Sequence, residues 1–271
     1  MRHLKNSLSI ILITLIFTSC RKVIDIDLNS KEPQLVVEAV INDLPGPYTV
    51  SLTQTVNFNV NNIFPNIQGA FVTIADNTGA IDTLLETSPG IYKTQHLQGI
   101  VGRTYYLNMQ ANGKTITAQS TMPAKVALDS LTYLVTTFNN PGGGSNAKES
   151  YIPIPSFTDP INQVNFYRFA RTVNDTLDRV FFIDNDNLIN GLKYQRPLFG
   201  GEIDINKGDS LLFEMQCIDK RTYEYFNSLN ASIGNGPGGS ATPANPTTNL
   251  VGDALGYFSA HTSERKKVMV K

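Results

Sequence analysis

Turn-forming residues recur about every ten positions along most of this chain, and short runs of alternating apolar and polar residues lie between them. Alternation at period two puts one set of side chains on each face of an extended strand. Many such strands joined by tight turns stack as two sheets around an apolar layer. Leu35, Val37, Ala39 and Ile41 alternate, Asp43-Leu44-Pro45-Gly46-Pro47 turns the chain, and Tyr48, Val50 and Leu52 alternate again, which predicts a first hairpin. Residues 71–74 end at Asp76-Asn77-Thr78-Gly79, and residues 81–86 end at Ser88-Pro89-Gly90. Tyr105, Leu107, Met109 and Ala111 run into Asn112-Gly113 ahead of Ile116 and Ala118. The pattern predicts an N-terminal β-sandwich over residues 33–123.

Residues 124–271 are also β-rich. Strand character is expected at 131–138, 165–173, 179–183, 210–218 and 254–260. Leu211, Phe213, Met215 and Cys217 share one face, so Cys217 is expected to be a buried core thiol and not a nucleophile. One short helix is predicted over 219–229, with Asp219 as its cap and Tyr223, Phe226 and Leu229 at helical spacing beside Tyr225, a face suited to packing on the adjoining sheet. Gly, Asn and Pro concentrate in 57–68, 139–145 and 230–249, which are expected to be loops able to make contacts. Gly102-Arg103-Thr104-Tyr105-Tyr106-Leu107 resembles the turn and strand that carry the buried tyrosine of immunoglobulin-like and fibronectin-like domains. The fold class expected is therefore mainly β: an immunoglobulin/fibronectin-like β-sandwich followed by a second β-rich domain with one short helix.

The first twenty residues carry a different signal. Arg2 and Lys5 precede an apolar run at 8–17, and Phe17-Thr18-Ser19 leads into Cys20, the form of a lipoprotein signal peptide. Ten apolar residues at about 1.5 Å each reach about 15 Å, half of a hydrocarbon core, and Arg21 and Lys22 stop the run from extending. Residues 1–19 are read as a cleaved signal and Cys20 as the lipidated residue, with 20–32 as a tether in which Ile24, Ile26 and Leu28 alternate with Asp25 and Asp27. Removal of 1–19 takes Arg2 and Lys5 but no acid, so 20 of 22 basic residues remain against 23 acidic ones, a net charge of −3. A chain of that balance has no basic stripe for nucleic acid. With Cys20 lipidated, Cys217 has no partner and no intrachain disulfide is expected.

Motifs for chemistry are scarce. His96 and His261 fall in different predicted domains with no cysteine pair near either, so neither a zinc site nor a catalytic base is indicated. Gly113-Lys114-Thr115 resembles the end of a phosphate loop, but Asn108 replaces the first glycine and the segment joins two strands. Asp184-Asn185-Asp186-Asn187 resembles a calcium loop, yet Leu188 and Gln195 stand where ligands belong. No metal, cofactor or catalytic residue is expected.

Cys20-Arg21-Lys22-Val23-Ile24-Asp25-Ile26-Asp27-Leu28, Pro33-Gln34-Leu35-Val36-Val37-Glu38, Gly46-Pro47-Tyr48-Thr49-Val50, Gly90-Ile91-Tyr92, Thr121-Met122-Pro123, Asp129-Ser130-Leu131 and Asn245-Pro246-Thr247-Thr248-Asn249 with Leu255-Gly256-Tyr257-Phe258-Ser259-Ala260 resemble a family of Bacteroidota lipoproteins known as domain of unknown function 4249. Arg21 departs from the acidic residue expected after the lipidated cysteine. The resemblance implies an outer-membrane lipoprotein, often encoded beside a TonB-dependent transporter, and supplies no catalytic residues. The expected function is a lipid-anchored, non-catalytic binding or assembly module, accessory to such a transporter. The alternative is a surface-exposed hydrolase or glycan-binding lipoprotein. Asp82-Thr83-Leu84, Asp129-Ser130-Leu131, Asp175-Thr176-Leu177 and Asp209-Ser210-Leu211 resemble the O-glycosylation acceptor of Bacteroidota, which makes Thr83, Ser130, Thr176 and Ser210 candidate modification sites.

Overall fold

A computed structural model describes residues 32–57, 63–138, 148–233 and 245–271, and Pro33–Lys271 forms one compact unit. The tether and Cys20 lie outside the described residues. The first part contains β1 (Leu35–Asn42), β2 (Thr49–Gln54), β3 (Phe71–Asp76), β4 (Ile81–Thr83), β5 (Leu85–Ser88), β6 (Ile91–Lys93), β7 (Thr104–Ala111) and β8 (Lys114–Thr121). The second contains β9 (Ser130–Phe138), β10 (Lys148–Thr158), β11 (Phe166–Val173), β12 (Thr176–Leu177), β13 (Phe182–Asn185), β14 (Lys193–Gln195), β15 (Ser210–Ile218), helix α1 (Lys220–Ile233), β16 (Leu250–Val251) and β17 (Ala254–Met269).

The protein is mainly β, and its strands form two packed layers along most of its length. The order β12-β11-β15-β17-β1-β2-β6-β5 makes one long sheet, with β13 also on β11. The β1, β2 and β6 part of that sheet packs on a five-stranded sheet of order β16-β8-β7-β3-β4. Leu35, Val37, Ala39, Ile41, Val50 and Leu52 meet Ile74, Leu107, Met109 and Ile116 in that core, as the alternation predicts. Its remaining wall comes from the far end of the chain, in Leu250, Ala254, Phe258 and Ala260. Asn112 and Gly113, at φ 49° and 74°, make the tight turn between β7 and β8. Tyr105 is buried, and its hydroxyl accepts from Ile100 N at 2.6 Å.

The β11, β15 and β17 part of the long sheet packs on the sheet β14-β10-β9. An aromatic cluster fills this second core: Phe157 stacks on Tyr194 with centroids 4.7 Å apart, and Tyr167 and Phe169 adjoin Phe157. Cys217 is buried there, and loss of hydration pushes its thiol up from its ordinary value, as expected of a structural cysteine.

Three local expectations change. The strand expected over 81–86 is two strands in two sheets: β4 pairs with β3, Leu84 turns inward, and β5 pairs with β6. The strand expected over 179–183 is shifted to β13, because Asp178 turns inward to Arg171 and accepts Val180 N, which ends β12 and displaces the next pairing. The strand expected over 254–260 is β17, sixteen residues long. Its first half runs parallel to β1, from Ala254 beside Leu35 to His261 beside Asn42, and its second half runs antiparallel to β15. β10, rich in proline, is an additional strand. Its Tyr151 N and Pro153 O bond away from β9, to Ile205 and Leu198, so Pro153 and Pro155 sit at positions where a missing N–H costs no bond to β9.

Candidate functional site

Because side chains alternate along strands, the residues that do not enter the cores line the outer face of the long sheet. β11 contributes Arg168 there, β15 contributes Glu214 and Gln216, β17 contributes Ser259, His261, Ser263 and Arg265, and β1 contributes Asn42. The register sets Arg168 beside Gln216, Glu214 beside Arg265 and Asn42 beside His261. Helix α1 covers one end of this polar row. It starts where expected, with Asp219 Oδ1 accepting Thr222 N at 2.8 Å while Oδ2 accepts the Ser120 hydroxyl at 2.6 Å, so the cap also ties the helix to β8. Tyr225 and Phe226 are buried against Tyr257, each with ring centroids 4.9 Å from it.

Between the helix and the strands lies a pocket of about 180 Å³ lined by Asn42, Arg168, Glu214, Tyr257, His261 and Arg265 among others. Arg168 Nη1 donates to Gln216 Oε1 at 2.8 Å, and its guanidinium lies 4.6 Å from the Phe226 ring centroid. Gln216 Nε2 and Ser263 Oγ donate to Glu214 Oε1, and Arg265 Nε donates to Oε2 at 2.8 Å. Burial opposes ionisation of Glu214, but these three donors hold its carboxyl below the usual carboxylate range. His261 is fully enclosed, 3.1 Å from Ser259 Oγ through Nδ1. Desolvation pushes it down to about 4 against the pull of the Glu214 charge, so the ring is neutral at neutral pH.

A larger, shallower groove of about 450 Å³ crosses the outer face of the five-stranded sheet. Tyr106, Asn108, Thr117, Gln119, Asn249, Val251 and Arg221 surround it. Tyr106 is 42% exposed, and the Asn108 and Gln119 side chains point outward without hydrogen bonds among the described residues. A third cavity, of about 230 Å³, lies between β10 and the 199–205 segment. Its one cation, Arg171, is buried and paired with Asp178 at 2.7 Å.

The residues singled out from the sequence are dispersed. Thr83, Ser130 and Thr176 are exposed and Ser210 is half-buried, each at or next to a strand end. The acids before them have local duties: Asp82 Oδ2 accepts Gln95, His96 and Leu97 N, and Asp209 Oδ2 accepts Asn206 N. In the calcium-like segment Asn185 caps a short 3-10 turn, Asp184 pairs with Arg196, and Asp186 accepts Asn165 N. His96 is exposed in the loop between β6 and β7, whereas His261 is buried in β17. Of the contact loops, 139–145 and parts of 57–68 and 230–249 lie outside the described residues. Among the described residues no group of three or more His, Cys, Asp or Glu is placed to hold a metal ion. No described helix is long and apolar enough to cross a membrane. The residues that converge, Asn42, Arg168, Glu214 and Arg265, had only one sequence signal, their place on the outward side of alternating runs.

A search of curated proteins returned no match. Among solved structures, a two-domain fibronectin type-III segment from chicken tenascin is similar over 88% of this chain and 100% of its own, at 11% identity and a TM-score of 0.24. The family model described as domain of unknown function (DUF4249) matches residues 21–267, and the chain belongs to that family.

Proposed function

We propose that this protein is a lipid-anchored, non-catalytic binding module of the cell envelope, accessory to a TonB-dependent outer-membrane transporter. The observation that carries the binding reading is the make-up of the groove on the five-stranded sheet: hydroxyl, amide, guanidinium and one exposed ring, with no carboxylate, imidazole or thiol among its described lining residues. The anchor rests on Cys20 and the leader before it. The transporter is the partner that the family resemblance suggests. A tether of residues 20–32 keeps the sandwich near the bilayer, where a partner in the same membrane meets it at high effective concentration and a weak contact suffices.

Gentle detergent extraction of the tagged lipoprotein, followed by identification of what copurifies, tests this. A TonB-dependent transporter is expected, at reduced yield from a Tyr106→Ala, Gln119→Ala variant that melts like wild type. Copurification of no outer-membrane protein overturns the reading. So does hydrolysis of a substrate panel that disappears with a single carboxylate substitution. A second reading, glycan binding, is favoured by Tyr106 beside Asn108 and Gln119, since a ring face with neighbouring amides suits a sugar. Retention on a polysaccharide column that Tyr106→Ala abolishes distinguishes it.

A further inference from the structure

The pocket beneath α1 has more donors than acceptors. Both Glu214 oxygens are already occupied, Oε1 by Gln216 and Ser263 and Oε2 by Arg265. Gln216 spends its own oxygen on Arg168. Asn42 Oδ1 accepts Leu44 N at 3.1 Å, which leaves its amide nitrogen without a hydrogen bond among the described residues. Among the described residues Arg265 bonds only through Nε, which leaves the outer fork of its guanidinium without a hydrogen bond there.

Arg168 is the most unusual member. It makes no ion pair among the described residues, its Nη1 bonds a neutral amide, and its Nε is buried without a partner. A guanidinium keeps its charge in any protein setting, and a partly buried one without a counter-ion is costly. The charges that act on the pocket's His261 are Arg168 and Arg265 against Glu214 and Asp43, and Glu38 of β1 acts on its Tyr257. Lys125 lies 2.9 Å from Asp43 and 3.1 Å from Glu264, and His261 is neutral, so Arg168 stands as a cation that no carboxylate among the described residues bonds directly.

We propose that this pocket binds a small organic carboxylate, its acid group held by Arg168, Arg265 and the Asn42 amide. The planar fork of arginine matches a carboxylate in two parallel hydrogen bonds. Val40 and the rings of Phe226 and Tyr257 line the same pocket and give the carbon body of the ligand an apolar wall. At about 30 Å³ per water, 180 Å³ holds about six waters, the room of an acid of a few carbons. This site lies on the outer face of the long sheet, whereas the groove proposed for the partner lies on the five-stranded sheet, so the two readings stand or fall separately.

The test is calorimetric titration and thermal melting of the detergent-solubilised full chain with sodium succinate, sodium benzoate and inorganic phosphate, at ionic strength matched with sodium chloride. One of the two carboxylates is expected to bind saturably at one site per chain and to raise the melting temperature. Arg168→Gln should weaken that binding at least tenfold and Asn42→Ala severalfold, while Tyr106→Ala leaves it unchanged. Should Arg168→Gln fail to fold, Arg265→Gln, whose side chain is 46% exposed, carries the same test. Saturable binding of phosphate alone, no saturable binding by any probe, or undiminished binding by a folded arginine variant overturns the proposal.

Discussion

Acidification should unfold this protein earlier than its carboxylates alone would dictate, and His261 is the cause. Enclosed on the outer face, it titrates at about 4 in the folded protein against 6.5 for an unhindered imidazole. The groups facing it are Arg168 from β11 and Arg265 from β17, which resist its protonation, and Glu214 from β15 and Asp43 after β1, which favour it. Because the folded value lies below the unfolded one, the unfolded chain takes up the proton first. The contribution to stability is complete above about pH 6.5 and is lost as pH falls toward 4. The full loss is about 3 kcal/mol, at up to about 1.4 kcal/mol per pH unit, and about 2 kcal/mol of it falls between pH 7 and 5. Glu214 and Asp76 have lowered folded values, so their contributions are lost only as pH drops below the ordinary carboxylate range, outside that window. Urea unfolding followed by circular dichroism at pH 8, 7, 6 and 5, for wild type and His261→Gln, measures the difference. Wild type should lose about 2 kcal/mol between pH 7 and 5 while the variant's stability changes little. Parallel curves for the two proteins would refute the assignment to His261.

Gly256 has φ +105°, and a Cβ there would lie 1.9 Å from the Val37 carbonyl oxygen, so Gly256→Ala should cost about 3 kcal/mol or more in urea unfolding. Gly69→Ala, at φ +70° with open space around it, should cost only about 1 kcal/mol. Asp178→Asn leaves the buried Arg171 without its counter-charge and should lower stability by about 3 kcal/mol, a loss that the double variant with Arg171→Met partly restores. Cys20→Ala should remove the lipid and release the protein from carbonate-washed membranes, since each buried CH₂ of an acyl chain contributes about 0.8 kcal/mol. Glycans at the exposed Thr83, Ser130 and Thr176 would raise the intact mass of the native protein above that of the bare lipidated chain, and a match to the bare mass removes those sites.

Where structure follows from neighbours in sequence, it was legible beforehand. The alternation in β1, β2, β7 and β15, the Asn112-Gly113 turn and the Asp219 cap all depend on residues a few positions apart, and each formed as read. The buried state of Cys217 followed from the same period-two rule, because Leu211, Phe213 and Met215 share its face. The break at Leu84 was not legible, since a strand that changes sheets keeps its alternation and only its hydrogen-bond partners differ.

The extent of β17 and the polar pocket were decided by tertiary structure alone. From Ser259 to Lys267 one side of the strand is hydroxyl, imidazole and cation, so no apolar alternation extends the strand expected over 254–260. It is held as strand because β1 supplies a partner on one edge and β15 on the other, through residues more than two hundred and about fifty positions away. Arg168, Glu214 and Arg265 each look like ordinary outward residues on their own strands. Only the register of four strands and the helix laid across them removes enough water to make His261 neutral and leave Arg168 without a counter-ion among the described residues. Desolvation depends on everything that surrounds a group in space, and no local pattern records it.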